Sequence, residues 1–308
     1  MTGIFSVLEQ LFLMGVLISL GFYLNRSDKI NQSAEKGIAE LTIDIAFPAL
    51  IFTNIIRDFD LNMLREYLIV PVAAIIITLL TIAVVILIGK KLSYSQKERE
   101  EFTFITAFSN NIFVGAPICL ALFGSQGLIL AILYDFGMQM ILWTLGVSML
   151  KDQAERENSN FLGNMFSPPI IALLIGLAVV LLAIELPEVV LNTTNSIGVI
   201  TVPLAMIFIG LQLGKSSFSS VIGKKKIYLL SFLRLIFLPT LVYLGLGFFS
   251  LGSLLRGVIT ILSAMPVFAS SSVILQKYDR PSDFASEAIF ATIVFMGLTL
   301  PIFVYLTV

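Results

Sequence analysis

The chain reads as an all-α integral membrane protein of ten transmembrane helices in two inverted five-helix repeats, with broken, crossing helices four and nine. Three observations lead there. Apolar residues make up 57% of the 308 residues and charged ones 13%, against roughly 45–50% and about 25% in soluble domains. Apolar stretches near the spanning length of about 20 residues follow one another throughout, with short polar punctuation. Two of these stretches are interrupted, by TAFSNNIFVGAP (Thr106 to Pro117) and TILSAMPVFASSS (Thr260 to Ser272), at a spacing of 154 residues, half the chain.

Taken in order, the first stretch, Ile4–Leu24, has no Lys or Arg before or within it. It lacks the basic leader and cleavage site of a signal peptide, so a retained helix is expected. The others are Ile38–Arg57, which carries Asp44 and Pro48; Tyr67–Gly89; the broken Phe102–Phe123; Gly127–Leu150 with Asp135; Phe166–Ile184; Leu191–Gly214 with Pro203; Ile227–Ser250 with Arg234; the broken Leu254–Gln276; and Phe284–Thr307. Fifteen Lys and Arg fall in the odd-numbered connections and three (Arg57, Arg65, Arg256) in the even ones. The positive-inside rule then puts the odd loops in the cytoplasm and both termini outside a plasma membrane.

The halves, 1–153 and 154–308, match internally. Thr106 and Ser109 align with Thr260 and Ser263 at an offset of 154, and Gly21 and Pro48 with Gly176 and Pro203 at 155. Five spans is an odd number, so the second repeat is expected to be inverted.

Composition excludes several classes of function. A net charge of -1 offers no basic face for nucleic acid. With no His and one cysteine, Cys119, no zinc site of the usual ligands is expected. No catalytic group, metal or cofactor is expected beyond a coupling ion, Na+ or H+. Proton chemistry would fall to Asp, Glu or Tyr.

Non-helical backbone at membrane depth is tolerated where it lines a buried or wet cavity, and matched breaks in two halves point to a transported substrate. Proline releases the carbonyl four residues earlier. Pro48, Pro203, Pro266 and Pro117 would free those of Asp44, Val199, Leu262 and Phe113, with Pro48 and Pro203 as kinks. The breaks supply Ser109, Asn110, Asn111, Gly115 and Pro117 on one side and Ser263, Pro266, Ser270 and Ser271 on the other as candidate substrate ligands. Helix ends there would favour an anion at N–H groups and a cation at carbonyls. The competing view is that Pro and Gly merely kink packed helices and Ser back-bonds to its own turn.

Ionisable residues inside spans are costly and usually functional. Asp44, with Glu40 one turn back, and Asp135, beside Tyr134 and one turn before Gln139, are candidates for proton or cation coupling; fixed hydrogen-bonded structural carboxylates are the alternative. Arg234, about two turns into its segment, is expected to snorkel, with a counter-ion role for an anionic substrate as the second option.

The strings DIAFPALIFTNI (Asp44 to Ile55), SNNIFVGAP, Phe123-Gly124 and AMPVFASSSVILQKYDR (Ala264 to Arg280) resemble the auxin efflux carrier family, which includes bacterial permeases for malate and malonate-like acids. The resemblance implies a fold like that of the bile acid and sodium symporters. It also implies a scaffold (1–57 plus 166–214), a mobile core (67–150 plus 227–307) and an elevator movement carrying a small organic anion at the crossover. By position, Asn110, Asn111 and Pro117 would be first-repeat crossover residues and Pro266 that of the second, where Ala264 and Met265 align with the Asn pair.

The expected function is secondary active transport of a small organic anion, a malate- or malonate-like carboxylate or an auxin-like acid. Its partners would be that anion and the bilayer, with a homodimer through the scaffold. Alternatives are a sodium-coupled symporter of a larger, bile-acid-like anion, a channel, or an intramembrane aspartyl protease. The last needs a second carboxylate sharing a proton with Asp135, and no Gly-x-Gly-Asp string accompanies it.

Overall fold

The computed structural model describes residues 2–59, 67–92, 94–150, 167–215, 221–281 and 283–307, with side chains from Phe12 onward. Arg65, Lys151, Arg156 and the expected repeat boundary at 153–154 lie outside the described residues. All regular elements there are helical: α1 (Thr2–Arg26), α2 (Gln32–Glu40), α3 (Phe47–Asp58), α4 (Ile69–Lys91), α5 (Gln96–Ala107), α6 (Ala116–Ile141), α7 (Val147–Leu150), α8 (Pro168–Leu181), α9 (Glu188–Gly198), α10 (Thr201–Lys215), α11 (Lys225–Phe232), α12 (Leu238–Leu246), α13 (Ser253–Ser263), α14 (Ser271–Lys277) and α15 (Asp283–Thr307).

Among the described residues, six helical runs are long and apolar enough to cross a membrane: Gln32–Asp58, Ile69–Lys91, Asn111–Leu150, Glu188–Lys215, Lys225–Leu246 and Asp283–Thr307. Phe12–Arg26, Pro168–Leu181 and Ser253–Ser263 are shorter apolar helices. The interruptions account for part of the difference from ten. α5 and α13 stop after 12 and 11 residues, and the expected fourth and fifth segments run together through α6. They part at Gly124, whose φ of 65° and ψ of -159° belong to a region open essentially to glycine alone.

Proline has a second signature here. Three π-turns, Leu41–Ala46, Asn111–Gly115 and Leu233–Phe237, each end two residues before a proline, Pro48, Pro117 and Pro239. The missing proline N–H leaves a carbonyl inside each turn without its usual partner, and the register slips to a wider loop: Phe47 N–H reaches Thr42 and Leu238 N–H reaches Leu233. Pro203 follows a break at Val199–Ile200 between α9 and α10.

Two compact units form. The first gathers the described residues of Met1–Tyr67, Ile112–Ile132 and Phe166–Ser217, and the second those of Leu68–Asn111, Leu133–Met165 and Phe218–Val308. Residues 112–132, assigned to the mobile core on sequence grounds, group with the first unit. Within the first unit, α1 meets α10 backbone to backbone. A Cβ on Gly21 would stand 2.1 Å from the Ile207 carbonyl oxygen, and one on Gly210 would stand 2.0 Å from that of Ile18. Small residues of this kind let membrane helices approach closely. α3 packs on α8 and α9, with Gly176 against Ile55 and Gly198 against Leu50, and Thr53 donates to Thr194 (2.8 Å).

The second unit ends in a charged cluster. Arg280 pairs with Glu100 (3.0 Å) and donates to the Leu150 carbonyl at the end of α7. Lys226 pairs with Glu98 and lies over the Tyr94 ring, and Lys224 pairs with Glu287. The ends of four expected odd loops thus share one end of this unit. Ser95 and Glu98 form a capping box on α5. Lys226 first, then the Ser95 backbone and hydroxyl, hold the Glu98 carboxyl down to about 2. A carboxylate lowered in this way stabilises the fold above its unfolded value of about 4.3, and that contribution is lost as pH falls through the folded value. Melting temperatures measured from about pH 5 down to about pH 2 should therefore drop more steeply for the native protein than for Glu98→Gln; parallel curves would count against the contribution.

Candidate functional site

The two interruptions meet inside the second unit. Asn110 N–H donates to the Pro266 carbonyl (2.9 Å) and Phe268 N–H to the Phe108 carbonyl (3.0 Å), which makes Ser109 and Val267 an isolated antiparallel bridge. Each break thus satisfies backbone groups that the other leaves open, as burial in an apolar setting requires. Val267 N–H is taken up by the Thr292 hydroxyl of α15 (3.1 Å).

Arg234 completes this arrangement. It is 4% exposed and sits in the π-turn before Pro239, from where Nε donates to the Met265 carbonyl (2.9 Å) and Nη1 to those of Thr106 and Ala107 (both 3.4 Å). These carbonyls close α5 and follow α13, at the negative ends of both helix dipoles. No carboxylate pairs with Arg234 among the described residues. The expectation of snorkelling is thereby corrected: the side chain turns inward because two helix ends present carbonyls that only a buried donor can reach.

A cavity of about 10 Å³ lies against this arginine, bordered by Thr78, Thr81, Ser109, Tyr134 and Ser263 as well as apolar residues. Such a volume holds roughly one water. Ser109 is fixed from two sides. Its N–H and Oγ each reach the Met138 sulfur at 3.4 Å, and Oγ donates to Asn111 Oδ1 (3.0 Å). Asn111 Nδ2 also donates to Met138 (3.3 Å). One turn before Met138 on the same helix, Asp135 is 3% exposed. It accepts from Gln139 Nε2 at 3.4 Å through Oδ2, while Asp135 Oδ1 and Gln139 Oε1 are buried and have no hydrogen-bond partner among the described residues. Asn111 faces this carboxyl as well.

The anticipated ligands are therefore partly assembled. Ser109, Asn110, Asn111, Ser263 and Pro266 come together, although the Ser263 hydroxyl donates to the Thr260 carbonyl (2.7 Å), as the packing alternative foresaw. Ser270 is half-buried at the N-cap of α14 and makes no side-chain cap bond. Ser271 is buried, and its Oγ has no partner among the described residues. Gly115 and Pro117 group with the first unit, as does Asp44, whose side chain is exposed on the π-turn before Pro48. Asp44 is not among the residues around the cavity. Sequence reasoning undervalued Arg234 and overlooked Met138. The available signal was the pairing of an intramembrane arginine with Pro239 five residues on, the same disturbance that marks Pro48 and Pro117.

A family model described as membrane transport protein matches the chain over residues 6–161 and 157–304. An uncharacterized transporter of Methanothermobacter thermautotrophicus is 28% identical over 290 residues, covering 93% of this chain and 94% of its own length. A second uncharacterized transporter, of Methanocaldococcus jannaschii, is 23% identical over 298 residues, covering 95% and 96%. With paired breaks on a buried arginine and a match running through both halves, the chain belongs to the membrane transport protein family, that of the auxin efflux carriers its broken-helix strings resemble.

Proposed function

We propose that this protein is a secondary active transporter of a small organic anion, a malate- or malonate-like carboxylate or an auxin-like acid, bound where the two breaks meet. One observation carries the reading: a buried guanidinium, with no carboxylate partner among the described residues, borders a partly polar cavity at the paired breaks. Its bonds to carbonyls use Nε and Nη1, and Nη2 would donate to a substrate carboxylate in a charge-assisted hydrogen bond. A cavity of about 10 Å³ is too small for such an acid, so substrate entry requires the site to widen.

The ten-segment inverted repeat with crossing fourth and ninth segments is the frame we propose for this site. It is supported by a contact that recurs with its partners exchanged: Gly21 meets Gly210 and Gly176 meets Ile55, and an offset of 155 relates Gly21 to Gly176 and Ile55 to Gly210. An elevator-type movement, a plasma-membrane location with odd loops in the cytoplasm and both termini outside, and a homodimer through the scaffold complete the proposal. Asp135 is the coupling group in this reading, because a proton or Na+ would satisfy the buried acceptors Asp135 Oδ1 and Gln139 Oε1, which make no hydrogen bond among the described residues.

The test is charge movement in liposomes on rapid addition of malate, malonate, a monocarboxylate or an indole acid, with and without Na+ and a pH gradient. A saturable signal for one acid is expected, and silence from folded protein beside a working control carrier would overturn the reading. Asp135→Asn should keep substrate exchange and lose gradient-driven accumulation; accumulation at the native level would remove Asp135 from coupling.

A further inference from the structure

The second unit carries another, larger hollow of about 250 Å³ against α11 and α15, bordered by Tyr228, Ser231, Phe232, Ile236, Phe295 and Leu298. Its walls are mostly apolar, but two polar features set it apart from surface that merely faces lipid tails. Ser231 is 5% exposed, and its Oγ has no partner among the described residues, whereas Thr106, Thr260 and Thr292 each return their hydroxyl to the carbonyl four residues back. A buried hydroxyl left open is costly, and a ligand acceptor in the hollow would remove that cost.

The second feature is Lys225, one turn before Tyr228. It is exposed and makes no ion pair among the described residues, while its neighbours Lys224 and Lys226 are engaged by Glu287 and Glu98. Lys225, Tyr228 and Phe232 share one helix face by their spacing. At 1.5 Å per residue, Lys225 is about 9 Å from Ser231 and about 16 Å from Ile236 along the axis. The Tyr228 ring stacks on Phe295 at 6.2 Å between centroids and walls the end nearer the lysine.

A cation, a hydroxyl donor and an apolar trough, in that order, match the phosphate, ester carbonyl and acyl chain of a glycerophospholipid. We propose that this hollow binds an anionic glycerophospholipid: its phosphate meets Lys225 Nζ, an ester carbonyl accepts from Ser231 Oγ, and one acyl chain lies along Phe232, Ile236 and Leu298.

Native mass spectrometry of the full-length protein in detergent, titrated with phosphatidylglycerol or phosphatidylcholine of identical chains, tests this. Phosphatidylglycerol should bind at least about fivefold tighter, the contribution of one lysine near a headgroup. Lys225→Gln should bring the two lipids level. Leu298→Trp, a change at a 77% exposed position, should weaken both about tenfold by filling the trough, and inorganic phosphate should displace neither. Equal binding of the two lipids by the native protein, an unchanged preference in Lys225→Gln, unchanged affinity in Leu298→Trp or displacement by phosphate would each overturn the proposal.

Discussion

Arg234→Ala will lose organic-anion transport by roughly a hundredfold and destabilise the protein by about 2–4 kcal/mol. A charge-assisted hydrogen bond contributes about 1.5–3 kcal/mol, and each buried group left unsatisfied costs about 1–3. Three carbonyls, those of Thr106, Ala107 and Met265, lose their donor at once. The relief of no longer burying a charge offsets part of this, which keeps the net below the sum. Arg234→Lys separates the two roles. An ammonium restores the charge but not a planar set of donors that reaches the carbonyls and a substrate at once, so stability should recover more than affinity for a carboxylate. A folded Arg234→Ala protein that takes up the anion with native affinity would remove the residue from the binding site.

Gly210→Ala should cost about 3 kcal/mol or more, beyond the usual range for one added methyl. The added carbon would stand 2.0 Å from the Ile18 oxygen, 2.7 Å from the Phe22 nitrogen and 2.8 Å from the Gly21 Cα. All three are backbone atoms, so no side chain can rotate away and α1 must retreat from α10. Gly15→Ala provides the contrast on α1. Nothing among the described residues lies within 4 Å of a Cβ there, and helix propensity alone would add up to about 1 kcal/mol of stability. Thermal melts of the two variants should move in opposite directions; equal shifts would mean that α1 and α10 are not held by close approach.

The parts of the site legible in sequence were those where chemistry forbids a helix. Pro266 and Pro117 mark segments that cannot keep their ladder, and the asparagines and serines beside them mark polar side chains set at the breaks. Burial was less legible. Arg234 stands close enough to its segment end for snorkelling to be reasonable, and only the carbonyls of α5 and Met265, distant in sequence, reveal why it turns inward. Met138 reads as core filling, and nothing local announces that its sulfur accepts from Ser109 and Asn111. Asp44 shows the converse. Its place four residues before Pro48 is legible in the sequence, but its exposure on the π-turn is not, because a slipped register rotates side chains in a way that helical spacing cannot anticipate.

The bond pattern between the breaks bears on how such a carrier can change its cargo. Asn110 N–H to Pro266 and Phe268 N–H to Phe108 are main-chain bonds, indifferent to the side chains mounted on them. If the proposed site is right, substitutions at Asn110, Asn111, Ala264 or Met265 should therefore alter what is recognised while the frame that presents them stays tied. Architecture and selectivity are separable here, so new specificities lie a few side-chain changes apart on an unaltered backbone.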